Sequence, residues 1–155
     1  MIVVSNATPI ISLSSVGRLD ILEELFCEVV VSAAVYHEIK AKKGYGYDEV
    51  ESEFITVESV RGGIYSDLLL NQLDLGEAET IILSKEKNAN YVIIDENIGY
   101  RIAKNSGLEV IRTLSILLRA KEKGIVGELK PILDEMITKG RWYSKNVYEI
   151  ILIKA

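Results

Sequence analysis

The chain has very little cysteine, histidine and proline. Cys27 is the only cysteine, His37 is the only histidine, and there are 2 prolines among 155 residues. A single cysteine excludes an internal disulfide and a cysteine-based zinc site, and it makes an intracellular location the default expectation. A lone histidine is more often a surface residue or a residue at the edge of a core than a ligand.

Long hydrophobic runs and an excess of basic residues are also absent. No apolar run approaches the roughly 20 residues that a membrane-spanning helix needs. The opening residues MIVVSNATPII lack the basic region and the apolar core of a secretory signal. We therefore expect a soluble, cytoplasmic protein.

The formal net charge is -5 and the sequence pI is about 5.0. Contacts of Lys and Arg with phosphates supply most non-specific affinity for nucleic acid. The charge therefore argues against a protein that holds nucleic acid by a basic face alone. It leaves open an enzyme that reaches phosphates through bound cations.

The residues that are present describe one globular domain. Hydrophobic residues make up 48% and charged residues 26%, a composition typical of folded rather than disordered or fibrous chains. A chain of 155 residues is the size of one ordinary domain. We predict a single domain over residues 1–155, with a C-terminal helical extension from about residue 128.

Short apolar runs typical of strands alternate with longer patterns typical of helices. The predicted strands are residues 2–4, 28–31, 55–57, 91–95 and 109–111. The predicted helices include residues 33–40, 68–75, 76–89, 99–105, 114–123, 131–139 and 144–153, after one or two helices between Thr8 and Leu25. Strands separated by helices imply right-handed crossovers. The pattern thus predicts an α/β fold with a mostly parallel sheet covered by helices on both faces.

Polar residues stand where these strands end or where neighbouring helices begin. Asn6 follows the first strand, and Asp95 ends the strand YVIID. Glu77 lies in the first turn of a helix, and Glu38 lies on the helix after the second strand. In open parallel sheets the productive crevice lies outside the carboxyl ends of the strands. Clustered carboxylates repel one another unless a cation is present, and Mg²⁺ takes carboxylate oxygens.

Each of these residues also has an ordinary structural interpretation. Asn6 can end its strand in a side-chain turn, and Asp95 can cap the helix that follows it. Glu77 can simply be an acidic residue that the dipole stabilises at a helix N-terminus. Glu79 is an alternative to Glu77 as the acidic residue of this helix that borders the core. Glu38 can be a solvated helical carboxylate. The residue types and spacing leave these alternatives open.

Four segments resemble one known family in their order and spacing. They are VVSNATPIISLSSVGRLDIL, VVVSAAVYHEI, LGEAETIILSKEKNANYVIID and RTLSILLRAKEKGIV, and together they span nearly the whole chain. The sequence resembles PIN-domain proteins, the fold of metal-dependent ribonucleases that includes VapC-type toxins. The most similar subgroup is DUF3368. The resemblance implies a three-layer PIN-like fold with helices on both sides of the sheet.

The resemblance also implies a site of three or four acidic residues that bind Mg²⁺ or Mn²⁺. The matching positions, taken as both catalytic residues and metal ligands, are Asn6, Glu38, Glu77 and Asp95. Asn6 departs from the general pattern, which has aspartate there, and its amide oxygen brings no negative charge. Ser5, Thr8, Glu96 and Thr113 are predicted to support the site by orienting a carboxylate or a water, with Glu96 also a substitute ligand.

The implied activity is metal-assisted hydrolysis of RNA phosphodiester bonds by an endoribonuclease. This hydrolase chemistry requires no histidine or cysteine nucleophile, which fits the composition. The resemblance further implies single-stranded RNA as substrate, a homodimer, and an antitoxin partner if the chain is the toxin of a toxin–antitoxin pair. The alternative is a catalytically weak or inactive PIN-like module that binds a protein partner or RNA. Asn6 and the acidic charge favour that alternative, whereas Glu38, Glu77 and Asp95 favour the nuclease.

Two further stretches have simpler interpretations. The basic segment KAKKG, residues 40–44, is followed by Tyr45 and Tyr47. Such a segment can contact phosphates and stack on bases, but a solvated loop is the simpler prediction. Trp142 and Tyr143, next to Arg141, are predicted to pack a C-terminal helix or a subunit interface rather than to bind substrate.

Overall fold

A computed structural model describes residues 1–155, with the exception of the side chain of Ile64. The described residues form one parallel sheet whose strand order is β3-β2-β1-β4-β5. The strands are β1 (Val3–Ser5), β2 (Val29–Ser32), β3 (Ile55–Glu58), β4 (Tyr91–Ile93) and β5 (Val110–Ile111). The predicted α/β fold with a parallel sheet is confirmed.

Helices connect the strands and cover both faces of the sheet. They are α1 (Ala7–Ser15), α2 (Asp20–Phe26), α3 (Ala33–Lys40), α4 (Ile64–Leu69), α5 (Leu75–Glu86), α6 (Asn97–Asn105), α7 (Thr113–Glu122), α8 (Leu129–Thr138) and α9 (Lys145–Lys154). No helix in the described part of the chain is long and apolar enough to cross a membrane.

Strand alternation divides the buried side chains between two cores. Ile93 and Ile111 belong to the core that includes α1, α2, α7 and α8, whereas Val92 and Val110 belong to the core that includes α4, α5 and α6. Successive residues of a strand point to opposite faces, so these short strands contribute to both layers. The sheet is therefore buried on both sides, as is typical of parallel sheets.

Two predicted boundaries were wrong. The helix predicted at residues 68–75 lies earlier, at Ile64–Leu69, and α5 already begins at Leu75. The side chain of Asp74 accepts a hydrogen bond from the Glu77 N–H (2.8 Å), and this cap fixes where α5 begins. The fourth strand ends at Ile93, so Asp95 lies in the connection to α6 rather than within the strand.

The C-terminal helices pack on the same core as the N-terminal half. Leu129, Leu133 and Met136 of α8 and Ile151 of α9 are buried in the core that contains Val3 of β1. The boundary of a C-terminal extension near residue 128 stays a prediction.

Candidate active site

The carboxyl ends of β1 and β4 meet at the centre of the sheet. The Asn6 N–H, just beyond β1, donates to the carbonyl oxygen of Ile93 at the end of β4 (3.0 Å). Asn6 is 4% exposed and occupies the N-cap position of α1, but its side chain makes no capping hydrogen bond. Helix capping by its side chain therefore does not explain the asparagine at this position.

Packing of α3 against α5 brings Glu38 and Glu77 to this edge. A Cβ atom placed on Gly76 would lie 3.0 Å from Glu38 Oε1, and one placed on Gly99 would lie 3.4 Å from Glu77 Oε2. Glycine at these two positions gives the two carboxylates room close to the backbones of α5 and α6.

Four carboxylates form an acidic cluster, which we define as Glu38, Asp74, Glu77 and Glu96. Burial first, then a hydrogen bond with Asp74 and repulsion by the other three carboxylates, raise the pKa of Glu77 to about 7. Burial first, then repulsion by Asp74 and Glu96, raises the pKa of Glu38 above its ordinary value, although much of this side chain is exposed. Burial is the largest cause of both shifts, and repulsion by neighbouring carboxylates adds to it.

Glu96 is held in the cluster by Thr8. The Thr8 hydroxyl donates to Glu96 Oε1 (3.0 Å). The second oxygen, Glu96 Oε2, is buried and has no hydrogen-bond partner among the described residues. An unsatisfied buried acceptor costs about 1–3 kcal/mol, and more when it is charged. This oxygen is therefore available to a cation.

Asp95 binds the beginning of α7 and is not among the groups that shift the pKa of Glu38 or Glu77. Its carboxylate accepts hydrogen bonds from the Thr113 N–H (2.8 Å) and the Thr113 hydroxyl (2.7 Å), and Arg141 Nη2 lies 3.3 Å from Oδ2. Thr113 is the first residue of α7, whose N–H has no partner within the helix. The Asp95 carbonyl oxygen accepts a bond from Arg112 Nη1 (3.0 Å).

The other residues singled out from the sequence divide between the site and the scaffold. Ser5 donates its hydroxyl to the Asn6 carbonyl oxygen (2.9 Å) and is fully buried, so it stabilises the turn after β1. Glu79 Oε1 accepts from the Ala34 N–H (3.0 Å) at the beginning of α3, away from the acidic cluster. The structure thus brings Glu38, Glu77, Glu96 and Thr8 together, and it pairs Asp95 with Thr113.

Sequence reasoning missed three residues at this edge. Asp74 followed three positions later by Glu77 is a capping-box pattern that could have revealed it. Arg112 follows β5, so the rule that identified Asp95 and Thr113 applies to it as well. No local signal marks Arg141, because only the path of the segment between α8 and α9 brings it to Asp95.

The acidic cluster has the donor chemistry of a site for a hard divalent cation. Its carboxylate oxygens are the ligands that Mg²⁺ and Mn²⁺ prefer. A cation would also satisfy Glu96 Oε2 and relieve the repulsion at Glu77. Within the described residues, however, no three Asp, Glu, His or Cys side chains lie close enough to hold an ion as they stand. Binding therefore requires these carboxylates to change conformation.

Comparison with family models gives a match over residues 2–155 to DUF3368, described as a PIN domain. The chain belongs to the PIN-domain family. This confirms the resemblance found in the sequence, and it gives the chain a nuclease-type fold. PIN domains are in general divalent-metal-dependent nucleases. Comparison with curated proteins and with solved structures found no match to the chain.

Proposed function

We propose that this PIN domain is a ribonuclease that hydrolyses RNA phosphodiester bonds with Mg²⁺ or Mn²⁺. The observation that carries the proposal is the buried, unpartnered Glu96 Oε2 close to Glu77, whose pKa is raised to about 7 by burial first and then by the neighbouring carboxylates. A surplus of negative charge on these exposed and partly buried carboxylates destabilises the fold, and a divalent cation offsets it. This surplus is concentrated at the carboxyl edge of a parallel sheet, where ligands bind in such folds.

Glu38, Glu77 and Glu96 would hold the cation, together with the amide oxygen of Asn6. When bound, it supplies an activated water and stabilises negative charge on the leaving oxygen. Thr8 orients Glu96 through its hydroxyl, and Asp74 fixes the first turn of α5, on which Glu77 lies.

Asp95 remains a predicted ligand. Its carboxylate is 4% exposed and already has Thr113 and Arg141 as partners. Coordination through Asp95 would require Arg141 to release Oδ2. In its present arrangement Asp95 positions the connection between β4 and α6, and thereby the neighbouring Glu96.

Calorimetric titration with Mn²⁺ and Mg²⁺ tests the site, with cleavage of a mixed-sequence single-stranded RNA followed in parallel. We expect wild type and the control Glu135→Gln, an exposed residue of α8, to bind the ion and to cleave the RNA in an EDTA-sensitive reaction. Glu77→Gln and Glu96→Gln should lose both properties. Loss of ion binding in Asp95→Asn would identify Asp95 as a ligand. A lower melting temperature with ion binding retained would identify it as a positioning residue. No ion binding by wild type at millimolar concentration would overturn the proposal.

The neutral amide of Asn6 specifically favours the second candidate function, a weak or inactive PIN-like module. Ion binding without cleavage in the same experiment would support it. The toxin hypothesis adds one expectation, that expression of the chain alone arrests growth whereas Glu77→Gln does not. The homodimer stays a prediction that light scattering checks.

A further inference from the structure

Two cavities flank the acidic cluster. The first, which we call the arginine cavity, has a volume of about 700 Å³, and its lining includes Arg112, Arg141, Trp142 and Glu96. The second, the lysine cavity, measures about 600 Å³ and is lined by residues that include Lys42, Lys43, Tyr45, Lys139 and Glu38. One carboxylate of the acidic cluster therefore lines each cavity.

A smaller cavity of about 200 Å³ joins the two. It shares Arg141 with the arginine cavity, and it shares Tyr45 and Lys139 with the lysine cavity. Thr8, which holds Glu96, also lines it. The three cavities are therefore adjacent, and we call them together the groove; its two outer cavities each border the acidic cluster.

Basic side chains follow this groove in a protein whose net charge is -5. Arg112 is fixed by two hydrogen bonds from Nη1, to the Asp95 carbonyl oxygen and to Asn97 Oδ1, and its guanidinium lies 4.2 Å from the Tyr100 ring centroid. Among the described residues its other nitrogens have no hydrogen-bond acceptor, so they are available to a phosphate. Arg141 is half-buried and pairs with Asp95 on the same wall.

The lysine cavity is the more positive of the two. It places Lys42, Lys43 and Lys139 opposite one carboxylate, Glu38. The Lys139 ammonium lies 5.8 Å from the centroid of the Tyr45 ring. Among the described residues, no salt bridge joins any of the three lysines to an acidic side chain. Their charge is therefore free to attract an anionic chain.

Each cavity also has an exposed aromatic side chain. Trp142 in the arginine cavity is 78% exposed and Tyr45 in the lysine cavity is 46% exposed. An aromatic face beside a basic groove is the arrangement on which bases of single-stranded nucleic acid stack. A double helix would not present its bases to either ring.

We propose that a single strand of RNA lies along the whole groove and passes beside the acidic cluster between two subsites. One base stacks on Trp142 beside phosphates bound by Arg112 and Arg141. A base on the other side stacks on Tyr45 beside phosphates bound by Lys42 and Lys43. The cleavage that follows rests on the proposed function above, whereas the binding does not. Because both sides of the cluster hold nucleotides, the enzyme cleaves internal bonds.

The test measures binding in EDTA, where the proposed cleavage cannot occur. The probe is a fluorescein-labelled oligouridylate of about 12 nucleotides, a length within the usual range for single-strand sites. Anisotropy should show saturable binding that weakens with salt. Trp142 is the only tryptophan, so its fluorescence reports directly on the arginine cavity and should be quenched on binding of unlabelled oligouridylate.

The double variant Lys42→Gln/Lys43→Gln tests the lysine cavity. Loss of two phosphate contacts should reduce the slope of log affinity against log salt by about 1.4. The matched control is Lys121→Gln/Lys123→Gln, near the far end of α7, which removes the same charge and should leave the slope unchanged.

Trp142→Ala should weaken binding by about five- to a hundredfold, whereas Trp142→Phe should retain most of it because the stacking face remains. Tyr65→Ala, an exposed aromatic on α4, serves as the control. Equal RNA affinity of wild type, Lys42→Gln/Lys43→Gln and Trp142→Ala would overturn the proposal that RNA binds in the groove, even if RNA is cleaved. So would a dimer that dissociates in Trp142→Ala with RNA binding unchanged. Salt-dependent RNA binding that these variants weaken, without any cleavage, would support RNA binding in the groove and would overturn only the proposed nuclease activity.

Discussion

Thr113 donates two hydrogen bonds to Asp95, one from its N–H to Oδ1 and one from its hydroxyl to Oδ2. Both residues are buried, and the pair joins the end of β4 to the beginning of α7. The negative carboxylate also lies at the positive end of the α7 dipole. Asp95 therefore stabilises the edge of the sheet from which Glu96 reaches the acidic cluster.

Thr113→Val should lower stability by about 1.5–3 kcal/mol, because it removes a hydrogen bond to a buried charged group while it keeps the size of the side chain. Thermal unfolding measures the loss. Thr56→Val, an exposed position on β3, is the control and should change stability little. Equal melting temperatures for the two variants would show that the hydroxyl contributes nothing to the fold.

The raised pKa of Glu77 predicts that the metal-free protein becomes less stable as the pH rises from about 4.5 to about 7. The folded chain holds this proton more tightly than the unfolded chain. The contribution is therefore fully present below the ordinary pKa of 4.5 and is lost as the pH rises through the folded pKa of about 7. Glu77→Gln lacks this dependence.

Thermal unfolding without divalent cations, at several pH values, checks this prediction. The advantage of Glu77→Gln over wild type should grow with pH to about 1 kcal/mol, a discounted value because water screens a partly exposed carboxylate. Glu135→Gln, an exposed residue of α8, should show no such trend. A constant difference between Glu77→Gln and wild type across the range would contradict the raised pKa.

Some positions in the site follow from local sequence patterns, whereas others depend on the backbone path and on tertiary packing. Apolar runs are sufficient to place β1 and β4, and the rule for parallel sheets predicts that Asn6, just beyond β1, lies at the functional edge. That Glu96 rather than Asp95 faces the acidic cluster depends on the backbone path after Ile93, which residue types do not specify. Arg141 reaches Asp95 from 46 positions further along the chain through tertiary packing alone.

Asn6→Asp should strengthen Mn²⁺ binding by about tenfold or more, because it adds a negative charge to a site of oxygen ligands. The same substitution should lower the stability of the metal-free protein, since it places a charge at a buried position. Calorimetry and thermal unfolding measure the two effects. Asn105→Asp, an exposed position at the end of α6, should leave the ion affinity unchanged. Unchanged ion affinity in Asn6→Asp would place Asn6 outside the site.

Gly76→Ala should change ion binding without reducing the stability of the fold. The added Cβ would lie 3.0 Å from Glu38 Oε1 but 3.6 Å from both Asp74 Oδ1 and Val35 Cγ2, which are ordinary contacts. The Glu38 carboxylate is the end of a flexible side chain and can move away, while alanine favours the helix by about 1 kcal/mol over glycine.

Stability of Gly76→Ala should therefore stay equal or rise, whereas Mn²⁺ affinity should fall by about tenfold because Glu38 is displaced. Gly127→Ala, where a Cβ meets nothing within 4 Å, controls for the exchange itself. Wild-type ion affinity in Gly76→Ala would remove Glu38 from the proposed ligands. Reduced affinity with an unchanged melting temperature would show that the close approach of Glu38 to α5 serves ion binding rather than folding.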